Sequence, residues 1–150
     1  MTIVPSQVQK GRGPHGGKKY FTLAEARRAL PLVKRIAHEL QAGQKERIRL
    51  REQMSSSGAK TMTELEALAA QLERLTDLME RLVGELAQIG VQLKDASTAL
   101  LDFPALHEGR EVMLCWKGDE ETITHWHEAY GGFTARKPVE LLNMQVAIST

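Results

Sequence analysis

The chain has a single cysteine in 150 residues, so no intrachain disulfide can form and a reducing compartment is the expected setting. No stretch approaches the roughly 18 apolar residues that a bilayer span requires. The first residues carry no apolar core of the kind a secretory signal needs. The expectation is therefore a cytoplasmic protein with no membrane contact. Net charge is only +1, which excludes a whole-molecule field that would gather nucleic acid. The sequence contains no P-loop, no dinucleotide-binding glycine fingerprint and no zinc-type cysteine pair. No cofactor is expected, and no nucleophile–base signature fixes a reaction, so the reading leans away from an enzyme.

What is present is ordinary in amount but uneven in place. Hydrophobic residues make up 42% and charged residues 26%, as in a soluble globular domain. Residues 1–19 hold Lys10, Arg12, Lys18 and Lys19 with no acid, among four glycines and two prolines. Such a segment buries too little apolar surface to offset its ordering entropy, and it reads as a flexible basic tail. Residues 20–150 read as one domain.

Thr22 and Glu25 fit a capping box, with Phe21 placed as a staple. Leu23, Ala26, Leu30, Val33, Ala37 and Leu40 then recur at three-four spacing, predicting a helix to about Met54. Pro31 lies inside it, so a kink is expected there. Beyond Gly43 the stripe gives way to Gln44, Arg47 and Arg51, with Ile48 and Leu50 to the sides.

After a Ser-rich loop, Thr63 and Glu66 suggest a second capping box. Leu65, Leu68, Leu72, Leu75, Met79, Leu82, Leu86 and Ile89 follow as an unbroken heptad seam, stopped by Gly90. The short loop makes the helices antiparallel neighbours across residues 20–89. The first has eight basic residues against four acidic over 22–54, and the second two against six over 62–89, which favours their pairing. The second helix stays apolar where its partner turns polar. Leu65, Leu68, Leu72, Leu75 and Met79 are therefore expected to form an interface with a second copy, giving a homodimeric four-helix bundle.

From Gly90 the period changes to alternation, predicting a small antiparallel sheet over residues 90–138. Short strands are expected at 91–93 and at 99–103, the latter ended by Pro104. A hairpin is expected from Arg110–Lys117 to Thr122–His127 around Gly118-Asp119. Residues 131–138 read as loop and 139–150 as a tail of no defined type. The fold class is thus α+β: a long two-helix hairpin, then a small sheet.

The order of blocks is distinctive. It runs F-T-L-x-E-A (Phe21–Ala26), G-V-x-L-K-D (Gly90–Asp95), D-F-P (Asp102–Pro104), G-R-E-V-x-L-C-W (Gly109–Trp116), W-H (Trp126-His127) and G-F-x-x-R (Gly132–Arg136). Over residues 20–138 this resembles an uncharacterised bacterial family catalogued as domain of unknown function 2203. That family usually carries glycine where this chain has Ala99 and Ala135. The resemblance implies a bacterial protein with a helical hairpin and a C-terminal sheet, and it implies no activity.

Residues 100–136 gather both tryptophans, the cysteine and three of the five histidines, so a site is expected there. His125 and His127 are two apart on a strand, which suits two imidazole ligands. A third ligand such as Asp102 or Glu128 would have to come from elsewhere. With a two- or four-residue turn, Cys115 would face with Thr122 and Thr124, away from both histidines, so a Cys-His-His metal site is not expected. Cys115 alone reads as a small buried hydrophobe. Trp116, Trp126 and Phe133 read as core mass that could border a cleft. Asp95, Asp102, Arg110 and Arg136 read as Arg–Asp pairs, or as an arginine grip on an anion. The basic run Lys45–Glu52 is broken by acids and unaccompanied by a base-reading motif, so nucleic acid is not an expected partner.

Two functions follow as expectations. The first is a non-enzymatic interaction or scaffold module that self-associates through its hairpin and binds an unidentified protein. The second is a small-molecule or metal-binding domain, catalytic or not, with its site around Asp102, Arg110, Trp116, Trp126, His127 and Arg136.

Overall fold

The computed structural model describes residues 18–56, 58, 60–130 and 135–142. The architecture is α+β: helices α1 (Leu23–Ser55) and α2 (Met62–Ile89), then strands β1 (Gln92–Asp95), β2 (Leu100–His107), β3 (Arg110–Trp116), β4 (His125–Glu128) and β5 (Lys137–Pro138), and a 3-10 turn at Val139–Leu141. The expected basic tail, apart from Lys18 and Lys19, lies outside the described residues, as do Phe133 and most of the C-terminal tail. No described helix is long and apolar enough to cross a membrane.

Both helices begin on reciprocal caps. The Thr22 hydroxyl accepts the Glu25 N–H while the Glu25 carboxylate accepts the Thr22 N–H, each at 3.0 Å. Phe21, just ahead, turns its ring edge-on to Phe103 of the sheet, at 5.3 Å between centroids. The second box is made by Thr61 and Glu64, not by Thr63 and Glu66. Both pairs satisfy the same spacing, and the pair nearer the loop takes the helix start. Pro31 lies within α1 without ending it. Gly90 closes α2 at φ 104°, and its N–H bonds back to Leu86 and Ala87. A left-handed residue there is what glycine supplies at least cost.

The hairpin is most completely buried where the sheet backs it. Leu23, Ala26, Leu30, Val33, Ala37 and Leu40 of α1 are buried, as are Met79, Leu82 and Leu86 of α2. Gly43 lets the helices approach closely, since a Cβ there would stand 3.1 Å from Met79. Met79 is 5% exposed within a single chain, so it has little surface left for a second copy. Leu65, Leu68, Leu72 and Leu75 are only half-buried. Leu50, expected to lie to the side, is buried. Among the described residues no ion pair joins the two helices; the hairpin's own pair is Arg49 with Glu46, within α1. The opposite net charges of the helices thus form no close pair between them, and apolar burial at roughly 1.5–3 kcal/mol per large side chain holds the hairpin.

The sheet is an antiparallel meander in the order β1-β2-β3-β4-β5. β2 and β3 join through Glu108-Gly109, whose φ values of 54° and 80° are those of a tight two-residue hairpin. β2 does not end at Pro104 but continues to His107. Pro104 opposes Met113, while its carbonyl accepts the Phe21 N–H at 2.7 Å on the other edge. The missing N–H thus falls on the edge away from β3, where the β2–β3 ladder does not need it. β5 and the turn after it were read as loop and tail. Val139 and Leu142 are nonetheless buried in the core. The pleat sends Leu101, Phe103, Ala105, Val112, Leu114, Trp116 and Trp126 into the core shared with the helices. The alternate residues lie on the opposite face.

Candidate functional site

That opposite face carries the chemistry. Asp102 on β2 stands directly across from Cys115 on β3. Cys115 stands across from His125, and Met113 from His127, on β4. Directly opposed residues of an antiparallel pair share a face, so Asp102, Cys115 and His127 all project to the same side. The expectation that Cys115 points away from the histidines is overturned. The connection between the paired residues Cys115 and His125 contains an odd number of residues (116–124) where the expected turn had an even number, and that inverts the facing of β4. The loop is closed by Glu120, whose carboxylate accepts the Lys117 N–H and whose carbonyl accepts the Trp116 indole N–H, each at 2.9 Å.

One potential ligand atom from each of Asp102, Cys115 and His127 lies within 4.8 Å of the other two. All three residues are buried, at 2%, 0% and 3% exposure. His127 Nε2–H donates to Asp102 Oδ1 at 3.1 Å, and Nδ1–H donates to the Glu128 carbonyl at 2.7 Å. The Glu128 carbonyl can only accept, so Nδ1 carries a proton; with Nε2 protonated as well, the ring is an imidazolium facing the Asp102 carboxylate. Its pKa is pushed up to about 10, first by the Asp102 hydrogen bond, then by the Cys115 contact, against the opposing cost of burial. The three side chains form part of the wall of a cavity of about 280 Å³ that is completed by Lys94, Leu100, Ala129 and Tyr130.

The geometry discriminates between chemistries. A cysteine nucleophile relayed through histidine to aspartate needs the two ring nitrogens to serve two different partners. Here Nδ1 is taken by the Glu128 carbonyl, so no such relay exists. A metal-ligating histidine, by contrast, commonly presents one nitrogen to the ion and anchors the other N–H on a backbone carbonyl. His127 has that arrangement, with Nε2 turned to the cluster. Tetrahedral ligands at zinc distances stand about 3.5 Å apart, close to the 3.1 Å between His127 Nε2 and Asp102 Oδ1.

The other sequence-predicted residues are not brought into this cluster. His125 shares the face, but its Nδ1 lies 2.9 Å from the Thr124 hydroxyl. Arg110 forms a fork with Glu128 at 2.9 and 2.7 Å and also meets Glu108. These carboxylates raise its pKa, Glu128 foremost, and Arg110 in turn is the chief cause holding Glu128 down at about 2. Arg136 pairs with Glu120 at 2.8 Å, and Asp95 accepts the Thr98 hydroxyl. The expected Arg–Asp pairs are thus Arg–Glu pairs, and Asp102 belongs to His127. Trp116 and Trp126 lie on the helix-facing side. The Trp126 indole N–H donates to the Pro138 carbonyl at 3.1 Å, and its ring packs on His107. Sequence reasoning set aside Cys115 and passed over Lys94 and Tyr130. The one available signal for Cys115 was that it, Asp102 and His127 each sit inside a distinctive block.

A family model described as "Uncharacterized conserved protein (DUF2203)" matches residues 19–139, and the chain belongs to that family. A search of curated proteins and one of solved structures each returned no match.

Proposed function

We propose that this member of the DUF2203 family is a small metal-binding domain whose ion is held by Asp102, Cys115 and His127. The observation that carries this is the convergence of three buried ligand atoms from three adjacent strands within 4.8 Å. A thiolate, an imidazole and a carboxylate together suit a borderline divalent ion, Zn²⁺ above all. Two anionic ligands neutralise its charge, which removes the main cost of burying it. Without metal, the His127–Asp102 ion pair fills the same role and keeps the cluster closed.

Three protein ligands leave a fourth position, as in sites that work on a bound molecule. That position would face the cavity beside Lys94, the only Lys or Arg among the described residues that line it. A bound ion would supply a polarised water there, and Lys94 would favour an anionic guest. A free buried thiol is best kept in a reducing cytoplasm, the compartment we assign.

Elemental analysis of protein purified without added metal or chelator tests the reading. About one zinc per chain is expected in the wild type, and less than about a tenth of that in Cys115→Ser, since losing a first ligand exceeds the 10–100-fold cost of losing an outer partner. Metal-free wild type that also fails to take up zinc in titration contradicts it.

A further inference from the structure

Resting on the metal reading above, we propose that the fourth position and its cavity take a small monocarboxylate, with one oxygen on the ion and the other on the Lys94 ammonium. An irregularity in β1 brings that lysine to the site. Leu93 pairs with Leu101 and Asp95 with Leu100, so Lys94 is the extra residue of a bulge. Bulges re-aim a side chain, and Lys94 lines the cavity. Leu100 stands two residues before Asp102 on β2 and shares its face. The cavity thus crosses the open side of the sheet. It runs from Lys94 and Leu100 at the β1–β2 edge, over the three ligands, to Ala129 and Tyr130 just past β4.

Charge selects the guest. With an ion bound, Asp102 and Cys115 are anionic and His127 is neutral, so the ligands cancel the charge of a divalent ion. Lys94 then leaves the cavity with a single positive charge in excess. Lys18 and Arg110, which border a neighbouring cavity, are already committed, Lys18 to Glu111 at 3.0 Å and Arg110 to Glu128 at 2.7 Å. Among the described residues no carboxylate lies within ion-pair distance of Lys94, and the adjacent Asp95 accepts the Thr98 hydroxyl at 2.8 Å. A monoanion neutralises the excess, whereas a dianion overshoots it. Leu100, Ala129 and the fully exposed ring of Tyr130 add apolar wall for a short hydrocarbon tail. A volume of about 280 Å³ is at the small end for ligand pockets.

Titrating cobalt-loaded protein with sodium acetate, propionate and butyrate at neutral pH tests this through the cobalt d–d bands. Each salt should shift the bands saturably, with affinity rising up to about fourfold per added CH₂. Lys94→Gln loses the ammonium and no metal ligand, and should weaken acetate binding at least about tenfold, with partial recovery in Lys94→Arg. Acetamide, which is neutral, and sulfate, a dianion, should both bind more weakly than acetate. A protein that develops no cobalt bands overturns the metal reading and this proposal with it. Cobalt bands that form but ignore carboxylates, that shift as readily without Lys94, or that respond more to sulfate than to acetate overturn this proposal alone.

Discussion

Replacing Asp102 by alanine isolates the interaction on which the site is built. In the wild type Asp102 and His127 are 2% and 3% exposed, so little water is available to an orphaned imidazolium. Breaking a buried pair by removing one partner costs about 3–5 kcal/mol. For a chain of this size each kcal/mol moves the melting temperature by roughly 2–4 °C, so a fall of roughly 6–20 °C is expected for metal-free protein. Asp102→Asn keeps the shape and can donate an amide N–H to a neutral His127 ring, whose Nδ1–H stays on Glu128. That retains one neutral hydrogen bond and should cost only about 1–2 kcal/mol. The pH dependence carries the sign. The folded-state pKa of His127 is raised from 6.5 to about 10, so the pair's contribution is complete below pH 6.5 and fades as pH rises towards 10. Urea denaturation of the metal-free proteins should therefore show the gap between wild type and Asp102→Ala narrowing across that window. A gap under about 1 kcal/mol, or one that does not change with pH, would refute the buried imidazolium–carboxylate pair.

Three other expectations rest on local geometry. Gly118→Ala would place a methyl 2.9 Å from the Ala99 Cβ and 3.1 Å from the Thr98 carbonyl, and should destabilise by about 1–3 kcal/mol in thermal melts. Adding Ala99→Gly removes the closer clash and also relaxes a left-handed φ of 56°, so the pair should be more stable than the sum of the two changes. Gly90→Ala meets φ 104° and a Lys19 contact at 3.3 Å, and a loss of more than about 1 kcal/mol is expected from denaturant midpoints. Tyr20 is pushed up to about 12, first by burial and then by its hydrogen bond to Glu111. Its folded-state pKa is raised, so that part of the stability is complete below pH 10 and is lost as pH climbs towards 12; Tyr20→Phe should flatten this alkaline decline.

Local rules reached the helices well and the sheet less well. The box at Thr22 and Glu25, the stop at Gly90 and the burial of Leu23 to Leu40 all depend on neighbours within a turn or two, and each could be read from spacing. The switch from helical to alternating periodicity near Gly90 likewise marked where the sheet begins. The sheet's errors are all long-range in origin. Pro104 reads as a breaker until Phe21, far off in sequence, is found bonding its carbonyl. Lys137–Pro138 is too short to show alternation, and becomes a strand only because β4 offers it an edge. The facing of Cys115 turned on whether the connection to His125 holds an odd or an even number of residues, and composition does not encode that. The site was therefore half legible: Asp102 and His127 were singled out, while Cys115 was set aside by a register that the Glu120-centred loop does not adopt.

The most direct test of the metal reading is the absorption spectrum of the apo-protein titrated with Co²⁺. Zinc has no d–d spectrum, whereas cobalt in the same site reports both ligand type and geometry. The account predicts saturation at about one equivalent, with a thiolate-to-cobalt charge-transfer band that vanishes in Cys115→Ser and intense four-coordinate d–d bands that weaken in Asp102→Asn and His127→Gln. A wild-type spectrum identical to that of aqueous Co²⁺, or a charge-transfer band that persists without Cys115, would contradict it.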